Sequence, residues 1–98
     1  MAEITVSDTN SRLQSAQILD IREDIEVTSG TIPGALHIPM SELRARLTEL
    51  DQSAPVIVVC RSGNRSAFIA DSLNATGLTA HTMAGGMTAW TAAGLPTT

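Results

Sequence analysis

Cysteine is nearly absent from this 98-residue chain, which contains one, Cys60. A single thiol excludes an internal disulfide, and no cysteine–histidine cluster has the spacing of metal ligands. The first residues lack the basic and then apolar plan of a signal peptide, and no apolar run approaches the length of a bilayer span. We therefore expect a soluble, cytoplasmic protein with no metal, no cofactor and no membrane contact.

Positive charge and aromatic side chains are also sparse. Six arginines and no lysine stand against ten acidic residues, for a formal net charge of −4, and Phe68 and Trp90 are the only aromatic residues. A nucleic-acid surface needs a basic patch and usually stacking groups, so nucleic acid is not expected as a partner. Two of the arginines, Arg61 and Arg65, lie close to Cys60. They predict a locally positive pocket that suits a small anion.

Short β-branched runs alternate with helical patterns along the chain, whose length predicts one domain, 1–98. The alternation predicts an α/β fold with a mostly parallel sheet of about five strands, covered by helices on both faces. The predicted strands are Ile4–Val6, Gln17–Ile21, Ala35–Ile38, Pro55–Cys60 and Thr79–Met83. The predicted helices run from Ser7 or Asp8 to about Leu13, from Ser41 through Leu50, from the Cys60 loop to Gly77, and over Met87–Ala92, with one further turn within 22–30.

Cys60 ends the most apolar strand, and a small polar loop separates it from the next helix. Sites in open α/β sheets gather where strands end and helices begin. The loop amides can turn inward to form an anion-binding nest, with Gly63 free to adopt a positive φ, and the helix N-terminus adds its own amides. These influences favour the thiolate, so the pattern indicates a nucleophile rather than an inert core cysteine.

Four motifs in sequence order resemble those of the rhodanese family of sulfurtransferases, and the likeness spans nearly the whole chain. They are Ile18–Arg22, which ends in Asp20-x-Arg22, then Gly30–Pro39, Cys60–Ser66 and Gly85–Trp90. One departure is visible at Thr31, where the family usually has histidine. That position is not the nucleophile in family members, so the departure concerns local packing.

The resemblance implies a single-domain, rhodanese-like protein that moves a sulfane sulfur by double displacement. Cys60 would take sulfur from thiosulfate or a related small anionic donor, hold it as a persulfide, and pass it to cyanide or to a thiol on a small molecule or protein. The loop would bind the sulfur and the anion through Arg61, Ser62, Gly63, Asn64, Arg65 and Ser66. Asp20 and Arg22 would either brace this loop or form a surface ion pair.

Two other functions compete with sulfur transfer. Cysteine-dependent phosphatases and arsenate reductases also use a cysteine, an amide-lined loop and an arginine, but they place five residues between the cysteine and the arginine. Here four lie between Cys60 and Arg65, and this narrower ring suits a single sulfur atom better than a tetrahedral oxyanion. The other alternative is a non-catalytic rhodanese-like module that binds or regulates a partner. Such modules often lack the cysteine that this chain keeps.

Overall fold

A parallel sheet runs through the computed structural model, which describes residues 3–98. Its five strands in this part of the chain lie in the order β1-β5-β4-β2-β3. The strands are β1 (Glu3–Ile4), β2 (Gln17–Asp20), β3 (Leu36–His37), β4 (Val56–Val59) and β5 (Ala80–Met83). This confirms the predicted α/β fold, although the predicted domain over 1–98 also includes residues 1 and 2, which lie outside the described part.

Helical segments connect the strands. The α-helices are α1 (Val6–Ser11), α2 (Asp24–Val27), α3 (Asn64–Ala75) and α4 (Gly86–Ala92), and two 3₁₀ helices span Met40–Glu42 and Arg44–Glu49. Within residues 3–98, no helix is long and apolar enough to cross a membrane.

Strand β4 forms the centre of the core because side chains on both of its faces are buried. Val56 and Val58 pack on the side of α3, in one apolar cluster. Ile57 and Val59 point to the other side, where they join a second cluster around Trp90 of α4. A strand buried on both faces has no polar alternation, which is why it is a continuous β-branched run in the sequence.

Several predicted elements differ from the structure in kind or in bounds. The helix predicted from Ser41 is a pair of 3₁₀ segments, because Arg46 has the non-helical angles φ −118° and ψ 15° and the backbone bonds connect residues three apart. The first strand ends at Ile4 rather than Val6, since Thr5 is the N-cap of α1 and its hydroxyl accepts the Asp8 N–H at 3.0 Å. Strands β2, β3, β4 and β5 are one or two residues shorter than predicted.

Candidate active site

The loop Cys60–Ser66 joins the end of β4 to the start of α3, at the carboxyl edge of the sheet. Val59 of β4 lies in register with Asp20 of β2, so the strand ends that carry Cys60 and the Asp20-x-Arg22 motif are neighbours. Cys60 is buried in this position. The edge therefore brings together the two motifs that the sequence placed there.

Donors from the loop surround the sulfur of Cys60. The Gly63 amide donates to Sγ at 3.0 Å and the Ser66 amide at 3.4 Å, and the Ser66 hydroxyl lies 3.4 Å from Sγ. Gly63 adopts a φ of 103°, and a Cβ there would lie only 3.3 Å from the Gly85 amide nitrogen. A glycine is favoured at this turn because other residues seldom take such an angle.

The surroundings of Cys60 act on its ionisation in opposite directions. Burial raises the pKa of the thiol, because a charge is less stable away from water. Hydrogen bonds from Ser66, Gly63 and Ser62 favour the thiolate, and the net effect lowers the pKa of Cys60 below its ordinary value. The loop therefore stabilises the thiolate mainly through hydrogen bonds rather than through the arginines.

We expect the alkylation rate of Cys60 by iodoacetamide to level off at a lower pH than that of an ordinary thiol. The thiolate is the reacting form, so a lowered pKa shifts the midpoint of the rate profile below the model-peptide value of about 8.5. The same chain unfolded in urea is the control, because it keeps the thiol and loses the loop. A native midpoint equal to the unfolded one would contradict thiolate stabilisation by the loop.

The two arginines of the loop have different environments. Arg65 forms a two-pronged ion pair with Glu26 of α2, with both nitrogen–oxygen distances at 2.9 Å. Hydrogen bonds from Arg65 lower the pKa of Glu26 to about 2, so the pair is charged at neutral pH. Arg61 is exposed, and its guanidinium has no hydrogen bond or ion pair within residues 3–98. The positive charge available to an anion at the loop is therefore that of Arg61.

Asp20 and Arg22 form a buried ion pair, not the surface pair considered as one alternative. Their exposed fractions are 1% and 4%, and Arg22 Nη2 lies 2.7 Å from Asp20 Oδ2. Arg22 also donates to the carbonyl oxygens of Glu26 at 3.2 Å and Gly30 at 2.9 Å. The pair thus fixes the α2 segment, whose Glu26 side chain in turn holds Arg65.

Replacing Arg22 by methionine should destabilise the fold strongly. It would leave the Asp20 carboxylate buried without its partner, which typically costs about 3–5 kcal/mol in the free energy of unfolding. The matched control is Arg12→Met, since Arg12 is exposed and far from the site in sequence, and we expect a change within about 0.5 kcal/mol there. Urea unfolding followed by circular dichroism measures both, and equal effects of the two substitutions would contradict this role.

The start of α4 is hydrogen-bonded to the backbone of the Cys60 loop. The Met87 amide donates to the Cys60 carbonyl at 2.8 Å, and the Thr88 amide donates to the Arg61 carbonyl at 2.9 Å. A Cβ on Gly86 would collide with both of these carbonyl groups. The glycine-containing Gly85–Trp90 motif therefore serves the close approach of two backbone segments.

A groove of about 660 Å³ adjoins the loop, between α4, the α2 segment and residues 95–97. The charged residues that line the groove are Arg22, Glu26 and Arg61. Its apolar surface includes Met87 and Leu95. It can hold a ligand larger than a small inorganic anion.

Two residues at the site had no signal in the sequence. Glu26 lies in a polar stretch without a motif, and Thr82 lies inside β5, where its hydroxyl is 2.6 Å from that of Ser66. Both reach the loop only through the tertiary fold. Their spacing from Cys60 therefore could not have identified them.

Comparison with known proteins places this arrangement in a family. The model of the family described as "Rhodanese-like domain" matches residues 5–93. The chain belongs to the rhodanese-like family. A crystal structure of a rhodanese-related protein from Thermoplasma volcanium superimposes with a TM-score of 0.96 at 32% identity, over 100% of this chain and 98% of that one.

The rhodanese-like relatives of this chain include proteins whose names refer to sulfur transfer. A protein of Allochromatium vinosum named sulfurtransferase is 34% identical over 98 residues, which covers 96% of this chain and 92% of its own length. YtwF of Bacillus subtilis, named as a candidate sulfurtransferase, is 38% identical over 73 residues, or 74% of this chain and 71% of its own. These relatives support a sulfurtransferase activity for this rhodanese-like chain.

Thr31, where the chain departs from the family motif, pairs with Thr98 through the backbone and through its side chain. The Thr31 amide donates to the Thr98 carbonyl at 3.2 Å, and the Thr98 amide donates to the Thr31 carbonyl at 2.9 Å. The two hydroxyl oxygens lie 3.3 Å apart. None of these contacts involves the Cys60 loop of this rhodanese-like domain.

Proposed function

We propose that this protein is a rhodanese-type sulfurtransferase that carries sulfur as a persulfide on Cys60. The observation that carries the proposal is the cradle of hydrogen-bond donors around a single buried sulfur, with the Gly63 amide at 3.0 Å. A nucleophile of this kind needs no general base, because the hydrogen bonds of the loop already favour the thiolate.

In the first half-reaction, the Cys60 thiolate attacks the outer sulfur of thiosulfate. A new sulfur–sulfur bond forms to Sγ, the original sulfur–sulfur bond breaks, and its electron pair leaves with sulfite. The terminal sulfur of the persulfide then bears the negative charge. Asn64 and Arg65 lie in the first turn of α3, where amides have no acceptor within the helix, and they supply donors for this sulfur.

In the second half-reaction, an acceptor attacks the terminal sulfur and releases the Cys60 thiolate. Cyanide would leave as thiocyanate, and a thiol would leave as a persulfide. The chain has no second cysteine, so the acceptor comes from another molecule. The groove beside Arg61 supports a thiol acceptor larger than cyanide, because it leaves room for the part of the molecule that does not react.

The test is thiocyanate formation by the purified protein from thiosulfate and cyanide. Turnover supports an enzyme, and a stable complex with a partner in the absence of turnover would support the non-catalytic binding module. Replacing cyanide by glutathione and measuring sulfite release then tests a thiol as the acceptor. No sulfite release and no sulfur on Cys60 with any of these reagents would overturn the proposal.

A further inference from the structure

Thr82 lies directly beneath the Cys60 loop, in the middle of β5. It pairs with Val58 on one side and with Glu3 on the other, so its backbone is held in the sheet from both edges. Its side chain is 1% exposed, and its Oγ1 lies 2.6 Å from Ser66 Oγ. Within residues 3–98, this is the one hydrogen bond of the Thr82 hydroxyl. A buried hydroxyl with a single short contact is well placed to orient its partner.

In the part of the chain that the structure describes, the proton of Thr82 has one suitable acceptor, which is Ser66 Oγ. If Ser66 donated to Thr82 instead, the Thr82 proton would be buried without a partner, at a free-energy cost. With Thr82 as donor, the single Ser66 proton has two possible acceptors. They are the Gly63 carbonyl oxygen, 3.1 Å from Ser66 Oγ, and Cys60 Sγ, 3.4 Å from it. Every hydroxyl proton has an acceptor only when Thr82 donates its proton to Ser66 Oγ.

The Ser66 proton can turn to the sulfur without leaving another group unpaired. The Gly63 carbonyl also accepts the Ala67 amide at 3.2 Å, so it keeps a donor when Ser66 turns away. While Cys60 is a thiol, its S–H donates to Ser66 Oγ. When Cys60 carries charge, the Ser66 hydroxyl donates to Sγ. The Thr82 hydroxyl, which donates to Ser66 Oγ, polarises the Ser66 hydroxyl and makes it a stronger hydrogen-bond donor.

We propose that Thr82 is a positioning residue for sulfur transfer, whose hydroxyl donates to Ser66 and so turns the Ser66 proton toward the charged sulfur of Cys60. The Cys60 proton passes to solvent when the thiolate forms, and the two hydroxyls keep their protons and only reorient. The role rests on the proposed function for its use in turnover, but its effect on the reactivity of Cys60 can be measured without any sulfur donor.

The experiment compares Thr82→Val with Thr82→Ser. Valine keeps the shape and removes the hydroxyl, whereas serine keeps the hydroxyl and removes the methyl group. We expect Thr82→Val to slow iodoacetamide alkylation of Cys60 at pH 7 by about three- to tenfold, the range for one hydrogen bond, and to move the midpoint of the rate profile to higher pH. Thr82→Ser should keep the wild-type rate and midpoint. The charged groups around the loop, Arg61, Arg65 and Glu26, are the same in every variant.

If Thr82 had only a structural role, Thr82→Ser would be expected to have the larger effect and Thr82→Val the smaller. Losing the methyl group from a packed site would then make Thr82→Ser the more damaging change, and thermal unfolding of both variants measures that loss separately. If Thr82→Val does not fold, Thr82→Ala against Thr82→Ser makes the same comparison, because both lack the methyl group. Equal alkylation profiles for the variants with and without the hydroxyl would overturn the proposal.

Rapid mixing with thiosulfate gives a second readout. Thr82→Val should reduce the rate of sulfite release in a single turnover by the same factor as alkylation, and Thr82→Ser should leave it unchanged. If no variant releases sulfite but the alkylation difference is present, the proposed function fails while the positioning role of Thr82 stands.

Discussion

Replacing Cys60 by serine is expected to abolish sulfur transfer while leaving the fold intact. Serine is close in shape, and its oxygen can accept the amides of Gly63 and Ser66 that now donate to the sulfur. Its hydroxyl, however, stays protonated at neutral pH and cannot hold a persulfide. Thiocyanate formation should fall to the level of the reaction without protein.

Mass spectrometry gives the complementary measurement. After incubation with thiosulfate, the tryptic peptide 47–61 of the wild type, which contains Cys60, should gain the mass of one sulfur atom. The serine variant should gain nothing, and its thermal unfolding should match that of the wild type. Persistent turnover in a folded serine variant would eliminate the persulfide mechanism altogether.

Inserting one glycine between Gly63 and Asn64 should reduce sulfur transfer by about 10²–10³-fold. The insertion gives five residues between Cys60 and Arg65, and it widens the ring of amides around the sulfur. Each lost or lengthened hydrogen bond to a developing anion can cost a few kcal/mol in the transition state. The rate of thiocyanate formation measures the loss, and an aryl phosphate assay tests whether the wider ring gains the competing phosphatase activity.

The control for this change is a glycine inserted between Gln52 and Ser53, in an exposed turn that precedes β4. It lengthens the chain by the same amount and leaves the ring of amides unchanged, so full activity is expected. If the active-site insertion folds normally and keeps full activity with thiosulfate, ring size does not select sulfur in this protein.

The sheet and the Cys60 loop could be predicted from sequence because their signals are local. The run from Val56 to Val59 is apolar at every position, and the small residues after Cys60 mark a turn before a helix. The 3₁₀ segments could not be separated from an α-helix in this way. Leu43 and Leu50 are buried, as one face of an α-helix would also place them, and the structure differs in the backbone angles of Arg46 and in hydrogen bonds between residues three apart.

The electrostatics of the loop were less predictable, because partners distant in sequence decide them. Arg61 and Arg65 look equivalent in the sequence, but in the structure Arg65 forms an ion pair with Glu26. Asp20 and Arg22 are two residues apart, and nothing in that spacing shows that the pair is buried and fixes the backbone of Glu26. Such contacts depend on which strand ends become neighbours in the sheet.

The surroundings of Cys60 are completed by backbone contacts with α4, whose residues come later in the chain. On a growing chain, Cys60 is made before Thr82 and before the residues that donate to the Cys60 and Arg61 carbonyls, Met87 and Thr88. Until those later residues have joined the sheet and α4, the thiol lacks its finished surroundings and behaves as an ordinary, mostly protonated cysteine. The lowered pKa of Cys60 is therefore a property of the completed fold and not of the Cys60–Ser66 segment alone.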